Sequence, residues 1–385
     1  MNRMLAIENA KVVLENGILW DGVVLVEDGK IAAVGKVGQV QIPEGAERLD
    51  AKGAYVGPGF VDIHNHGGGG YLFDHDPAEA AAFFLKHGTT TVLPTLYYDL
   101  SKDAFLESIK RIKDVIQQGK AKNIGGIYME APYMNPKYGA SPEKNKWRGP
   151  IRQEDYMPLL EEADDLARVW VVAPEREGLE PFMADAKAVN PKVVFSVGHS
   201  EATPAQVEAL KHYGIRIMTH CMDATGRPET NGGTRSCGPD EACLMDSGMF
   251  AEIICDSQAI HVHADMLQMI LKIKGVEKLI LISDSFVSNE DSPQELRHIT
   301  DLCFDANGGL CGSKLTLDVA CRNAMTHSNC GIAQAFLMAA TNPARAVGLD
   351  REVGSIAVGK KANLVFVDDM FHVKKVMLEG QFQPE

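Results

Sequence analysis

Short apolar, β-branched runs recur along most of this chain, and helix-type segments separate most of them. Eight runs stand out: 58–66 (PGFVDIHNH), 89–95, 124–130, 168–174 (RVWVVAP), 193–199, 215–220, 249–255 and 278–284 (KLILISD). Helix-type segments fall at 77–87, 101–119, 204–213 and 263–274, and Pro77 after Asp76 and Pro204 after Thr203 fit helix starts. Strands alternating with helices predict a parallel sheet. Eight units in about 290 residues predict a (β/α)8 barrel, with a doubly wound sheet as the alternative.

The two ends of the chain are patterned differently. Residues 1–57 read as short β-type runs broken by Asn16-Gly17, Asp28-Gly29 and prolines, and the stretch from Gly354 repeats this style. Neither piece is long enough to hold a sheet alone. They are expected to pair, making a small β domain of 1–57 plus 352–385 beside a barrel domain of 58–351.

Most barrel runs are apolar until their last residue or two, where a chemically capable side chain stands. His64 and His66 end the first run, Glu130 the third, His199 the fifth, His220 the sixth and Asp284 the eighth. Barrel active sites are built at the C-terminal strand ends. One such histidine alone is more often a structural, hydrogen-bonded residue. His64-x-His66 is stronger, because i and i+2 on a strand share a face. Six such residues on independent strand ends point to a divalent metal site of one or two ions, with Zn favoured and Fe, Mn or Co also compatible.

Charge narrows the partners. With 38 Lys+Arg against 52 Asp+Glu, the net charge is −14, a field that repels phosphate backbones and anionic lipid. Nucleic-acid and membrane roles are therefore not expected, and a small-molecule substrate is. No run reaches the roughly 18 apolar residues of a membrane span, and the first residues lack a signal-peptide pattern, so a cytoplasmic location is expected. All eight cysteines lie between Cys221 and Cys330 with no Cys-x-x-Cys pair, which fits reduced thiols. Two motifs are decoys. GSIAVGK at 354–360 has Lys361 where a phosphate loop needs Ser or Thr, and Gly67–Gly70 opens no helix. The glycines are expected to let backbone pass close to the site, or to form a mobile loop.

PGFVDIHNHG, GHSEAT, the Thr219-His220 pair, the ISDS segment and the tail NPARAVGLDREVGSIAVGKKANLVFVD together resemble the amidohydrolase superfamily, and within it the N-acetylglucosamine-6-phosphate deacetylases. The resemblance runs from about residue 5 to 380 and implies a metal-bearing barrel with a small β-sandwich made from both termini. It implies Glu130, His199 and His220 as ligands of the principal metal, and His64 and His66 as the strand-one pair that binds a second ion in some members. The fourth run ends in VVAPE with no lysine, so Glu130 is the better bridging candidate. Asp284 matches the aspartate that takes a proton from the attacking water and returns it to the leaving amine. His261 matches a substrate-contacting histidine, Arg227 or Arg235 a phosphate-contacting arginine, and a homodimer is implied.

Departures fall in the substrate shell. Ser141 stands where the family has a carbonyl-polarising histidine, Asp223 and Ala224 lie in the altered segment after His220, and Asp256-Ser257 replaces Asp-Gly before the seventh-strand histidine. The expected activity is deacetylation of N-acetylglucosamine-6-phosphate or a related N-acetyl amino-sugar phosphate. The alternatives are hydrolysis of another N-acyl or cyclic amide, or a non-catalytic barrel that binds metal or sugar phosphate.

Overall fold

The computed structural model describes residues 4–227, 234 and 236–384. Eight parallel strands follow one another around a sheet in chain order: Phe60–Asn65, Thr89–Tyr97, Ile127–Tyr133, Ala167–Val172, Val194–Val197, Ile215–Met218, Phe250–Ile254 and Leu279–Ile282. A doubly wound sheet would reverse its strand order partway, so this order is a barrel's. The seam closes just past the strands. Asp284 N–H donates to His64 O (2.9 Å), His66 N–H donates to Ser285 O (2.9 Å), and Ser283 Oγ donates to the buried Asp62 carboxylate (2.6 Å).

The strands read as unbroken apolar runs because both faces are covered. Every residue of Leu279–Ile282 and of Phe250–Ile254 is buried, the latter including Glu252. The helices supply the outer cover. Lys102–Gln117 begins at Ser101, whose hydroxyl accepts from Ala104 N–H (3.3 Å), and it buries Phe105, Ile109 and Ile112. Pro204–Leu210 opens with a capping box between Thr203 and Gln206.

Strand ends differ from the sequence-based expectation in an informative way. Glu130 does not end the third strand; the chain continues through Pro132, and Tyr133 pairs again with Val172. The fifth, sixth and eighth strands stop two residues before His199, His220 and Asp284. There the backbone turns to positive φ, 45° at His199, 25° at His220 and 45° at Asp284, and leaves the sheet.

Both ends of the chain build a second, mixed sheet. Met4–Leu14, Gly17–Glu27, Lys30–Lys36, Glu47–Asp50 and Tyr55–Pro58 come from the start, and Leu364–Val367, Val373–Leu378 and Gln381–Phe382 from the end. Leu364–Val367 runs antiparallel to Tyr55–Pro58 and joins the two halves. The sheet has its own apolar core, including Ile7, Val12, Val24, Val56 and Leu364. Gly67 and Gly68 pair with Tyr71 and Leu72 in a small hairpin over Phe83 and Phe84. Gly67 has φ +149°, and a Cβ there would meet Tyr71 O across the hairpin at 2.2 Å, while a Cβ on Gly68 or Gly69 would meet Phe84 or Phe83 of the first barrel helix at 2.6 and 2.4 Å. Among the described residues, no helix is long and apolar enough to cross a membrane.

Candidate active site

Closure of the barrel seam brings the first and eighth strands together, and with them His64, His66 and Asp284. Glu130 faces them from the third strand. Its Oε2 lies 3.1 Å from His66 Nε2 and 3.5 Å from His64 Nε2, while its Oε1 lies 2.8 Å from His199 Nε2 and 3.2 Å from His220 Nε2. One carboxylate is thus shared between two histidine pairs, and the donors form two groups, His64/His66/Glu130 and Glu130/His199/His220. Asp284 Oδ1 lies 3.2 Å from His66 Nε2 and 3.5 Å from His64 Nε2. All six side chains are buried or nearly so.

These residues fit a divalent metal. The Nε2 atoms of His199 and His220 are 3.1 Å apart and aimed at the same carboxylate oxygen, a packing that a cation between them would satisfy. Two ring orientations are fixed from behind. His64 Nδ1 lies 3.2 Å from Glu252 Oε2, and His220 Nδ1 lies 3.1 Å from Asp223 O. With protons on those Nδ1 atoms, each ring turns the lone pair of Nε2 toward Glu130, the arrangement metal-binding histidines require. His64 Nε2 is fully buried and, among the described residues, has no hydrogen-bond partner.

The electrostatics agree. Burial alone would push His66 down, but Asp284 and Glu130 overcome it and raise its pKa to about 9. Burial likewise opposes His220, yet Glu130 and Asp223 push it up to about 9. Glu130 is held well below the usual carboxylate range despite burial, by the charge of His64 and hydrogen bonds from His199 and His220. Asp284 is lowered by His64 and His66 against the opposing effect of burial. Of the four histidines His199 alone moves down, because burial there outweighs Glu130. Without cations the cluster attracts protons, as a carboxylate-rich site does.

His66, Glu130, His199, His220 and Asp284 floor a cavity of about 410 Å³. Ser141, Asp223, Ala224 and His261 line the same cavity. Ser141 is held by its N–H donating to Tyr98 Oη (3.0 Å). His261 is oriented by Asp256, whose Oδ2 lies 3.0 Å from its Nδ1 and accepts its backbone N–H at 2.9 Å. Glu175, at the end of the fourth run, faces elsewhere and accepts from Ser200 Oγ (2.7 Å) and Asn135 Nδ2 (2.8 Å). Arg227 is not among the cavity-lining residues; its guanidinium is paired with Glu241 Oε1 (2.5 Å). Arg235 lies outside the described residues.

Sequence reasoning missed Glu252, which sits behind His64 in the middle of the seventh strand. Its Oε2 also accepts from Tyr128 Oη and from His220 N–H, both at 3.3 Å. The available signal was a lone carboxylate inside the otherwise apolar stretch FAEII. Lys144, Asp99, Glu290 and Asp305, which line the outer cavity, were also missed.

A model of the amidohydrolase family matches residues 55–382. The chain belongs to the amidohydrolase family. Among similar amidohydrolases is an N-acetylglucosamine-6-phosphate deacetylase of Haemophilus influenzae, 27% identical over 98% of this chain and 99% of its own. An N-acetylgalactosamine-6-phosphate deacetylase of Escherichia coli O157:H7 is 29% identical over 96% and 97%. The fold matches the crystal structure of N-acetylglucosamine-6-phosphate deacetylase from Pasteurella multocida with a TM-score of 0.86 at 26% identity, covering 99% and 100%. A mutant of the Mycobacterium smegmatis deacetylase, solved with N-acetyl-D-glucosamine-6-phosphate, matches with a TM-score of 0.81 at 28% identity, covering 99% of each chain.

Proposed function

We propose that this chain is a metal-dependent amide hydrolase that converts N-acetylglucosamine-6-phosphate, or a closely related N-acetyl amino-sugar phosphate, to the amino-sugar phosphate and acetate. The observation that carries this reading is the Glu130 carboxylate shared by His64/His66 and His199/His220, with Asp284 Oδ1 3.2 Å from His66 on the floor of the same cavity. The names of the similar deacetylases and the substrate complex of the Mycobacterium smegmatis mutant support the substrate class.

A divalent ion held by these residues supplies Lewis acidity and brings the pKa of water from about 15.7 toward about 7. Asp284, ionised and held low by its histidine neighbours, accepts a proton from the attacking water and returns it to the departing amine nitrogen. Glu130 and the four histidines keep the donor set in place, and the buried floor excludes bulk water. His261, fixed by Asp256, is positioned to contact the sugar, with Ser141, Asp223 and Ala224 shaping the wall. Zinc suits this His/carboxylate set, and iron, manganese and cobalt share its donor preferences. The cytoplasmic location, the homodimer and the division into 1–57 plus 352–385 and 58–351 belong to the same reading.

A second reading, hydrolysis of another N-acyl amide, is favoured by one observation. Among the described residues, the outer cavity carries Asp99, Glu290 and Asp305 and, of lysines and arginines, Lys144, a poor surrounding for a phosphate dianion. Acetate release from N-acetylglucosamine-6-phosphate and from the unphosphorylated sugar decides between them, with protein reconstituted in zinc, iron or manganese. Fast turnover of the phosphate ester alone supports the first reading. No release from either sugar by metal-loaded protein overturns it and points to the second.

A further inference from the structure

A two-stranded hairpin, Leu302–Phe304 against Leu310–Ser313, leans on the active site from the side of the eighth strand. It carries Cys303 on one strand and Cys311 on the other, and the two sulfurs lie 3.5 Å apart as free thiols. Cys303 is buried, whereas Cys311 is partly exposed and lines the active-site cavity. The remaining cysteines stand elsewhere in the fold, with Cys237 the exposed one.

The hairpin is bound to the catalytic backbone. Ser313 N–H donates to Asp284 O (2.7 Å), Phe286 N–H donates to Ser313 O (2.9 Å), and Ser313 Oγ donates to Ser283 O (2.5 Å). Gly312 O lies 3.2 Å from His261 Nε2, and a Cβ on Gly312 would meet Asp284 O at 2.5 Å. Cys303 Sγ in turn donates to Phe286 O at 3.7 Å. Any shift of the strand carrying Cys311 is therefore felt at Asp284 and at His261.

We propose that Cys303 and Cys311 form an oxidation site, a dithiol that takes hydrogen peroxide through the active-site cavity and closes to a disulfide that slows catalysis reversibly. The Cys311 sulfur, reached from the cavity, attacks one peroxide oxygen. The O–O bond breaks, hydroxide leaves and takes the thiol proton as water, and Cys311 is left as the sulfenic acid. The Cys303 sulfur then attacks the Cys311 sulfur, the S–O bond breaks, and hydroxide leaves with the Cys303 proton as a second water. Two thiols and one peroxide give one disulfide and two waters, the peroxide being the two-electron oxidant. The thiol of Cys311 donates its hydrogen bond to Cys303, and the contact pushes the Cys311 thiol up, so the first attack rests on the access of Cys311 from the cavity. With Lys314 the same contact holds the Cys303 thiol below its ordinary range, which suits Cys303 to the second attack. Closing the bond draws the sulfurs from 3.5 Å to about 2.05 Å, and the strand bonded to Asp284 must follow.

The test has two readouts, and only the second rests on the deacetylase reading. Metal-loaded protein is treated with hydrogen peroxide and mapped by peptide mass spectrometry without reduction. A Cys303–Cys311 cross-linked peptide that dithiothreitol removes is expected. With it, kcat for N-acetylglucosamine-6-phosphate falls about tenfold or more and returns on reduction, since ångström displacements at catalytic groups cost up to about 100-fold. Cys303→Ser and, independently, Cys311→Ser are expected to lose the cross-link and the reversible inhibition together. Absence of the cross-link while Cys237 is oxidised overturns the proposal, as does a quantitative cross-link with kcat unchanged. If reduced, metal-loaded protein turns over no amino-sugar phosphate, the functional reading fails while the cross-link is still scored.

Discussion

His64 Nδ1 lies 3.2 Å from Glu252 Oε2, and both side chains are fully buried. Glu252 also accepts from His220 N–H, so one carboxylate steadies a histidine from each of the two donor groups. Fixing the ring orientation of a metal-binding histidine is what such outer carboxylates do, and their loss costs about 10–100-fold in metal affinity. Glu252→Gln is therefore expected to weaken metal binding by about that factor while the far-ultraviolet circular dichroism stays native. Titration calorimetry with zinc measures it. Unchanged affinity would reduce Glu252 to a packing residue.

Asp284→Asn tests the proton carrier. The substitution keeps size and removes the base, so kcat should fall by about 10²–10⁴ with metal content near that of the unaltered protein. Atomic emission on the purified variant supplies the control. Loss of metal together with activity would instead make Asp284 chiefly a ligand.

The shared carboxylate predicts an asymmetry among the ligands. Glu130 belongs to both donor groups, whereas His199 belongs to one. Glu130→Gln is expected to empty the site, and His199→Asn to leave the His64/His66/Glu130 group with a reduced complement. Metal stoichiometry after dialysis against zinc distinguishes the two. Equal loss in both variants would mean that the groups bind a single ion jointly.

The barrel and the cluster of candidate donors were legible because each rests on a local rule. Strand runs buried on both faces are apolar, so a polar residue near their ends is conspicuous, and His64, His66, His199, His220 and Asp284 were all marked that way. Glu252 escaped because it sits mid-strand, where the pattern is read as core and where only tertiary contact with His64 gives a carboxylate its reason. Strand ends were placed too late at three sites because a one-dimensional pattern does not carry φ. The backbone at His199, His220 and Asp284 turns to 45°, 25° and 45°, conformations that cost about 1–3 kcal/mol each and that the surrounding structure holds in place. The family resemblance offers Arg227 or Arg235 as the phosphate contact, and it carries no information on the pairing of the Arg227 guanidinium with Glu241.

The last prediction concerns pH. Asp256 is lowered to about 2: burial pushes it up, but hydrogen bonds from the His261 ring and from backbone N–H groups win. Burial pushes His261 down, and Asp256 more than offsets it, so His261 is raised above the ordinary 6.5. For the aspartate, a lowered folded value gives stability present above about 3.8 and lost as pH falls toward about 2. For the histidine, a raised folded value gives stability that is complete below about 6.5 and lost as pH rises through the folded value. The pair thus contributes fully between about pH 4 and 6.5. Asp256→Asn should lower unfolding stability by about 1.5–3 kcal/mol at about pH 5.5, the range for hydrogen bonds to charged groups. The difference from the unaltered protein should narrow as pH rises above about 6.5 and through the folded value of His261, leaving the part due to the backbone N–H groups of Gln258, Ile260 and His261. Denaturant unfolding of both proteins across that range makes the comparison. A pH-independent gap would mean that His261 is neutral throughout and that Asp256 holds the loop by backbone hydrogen bonds alone.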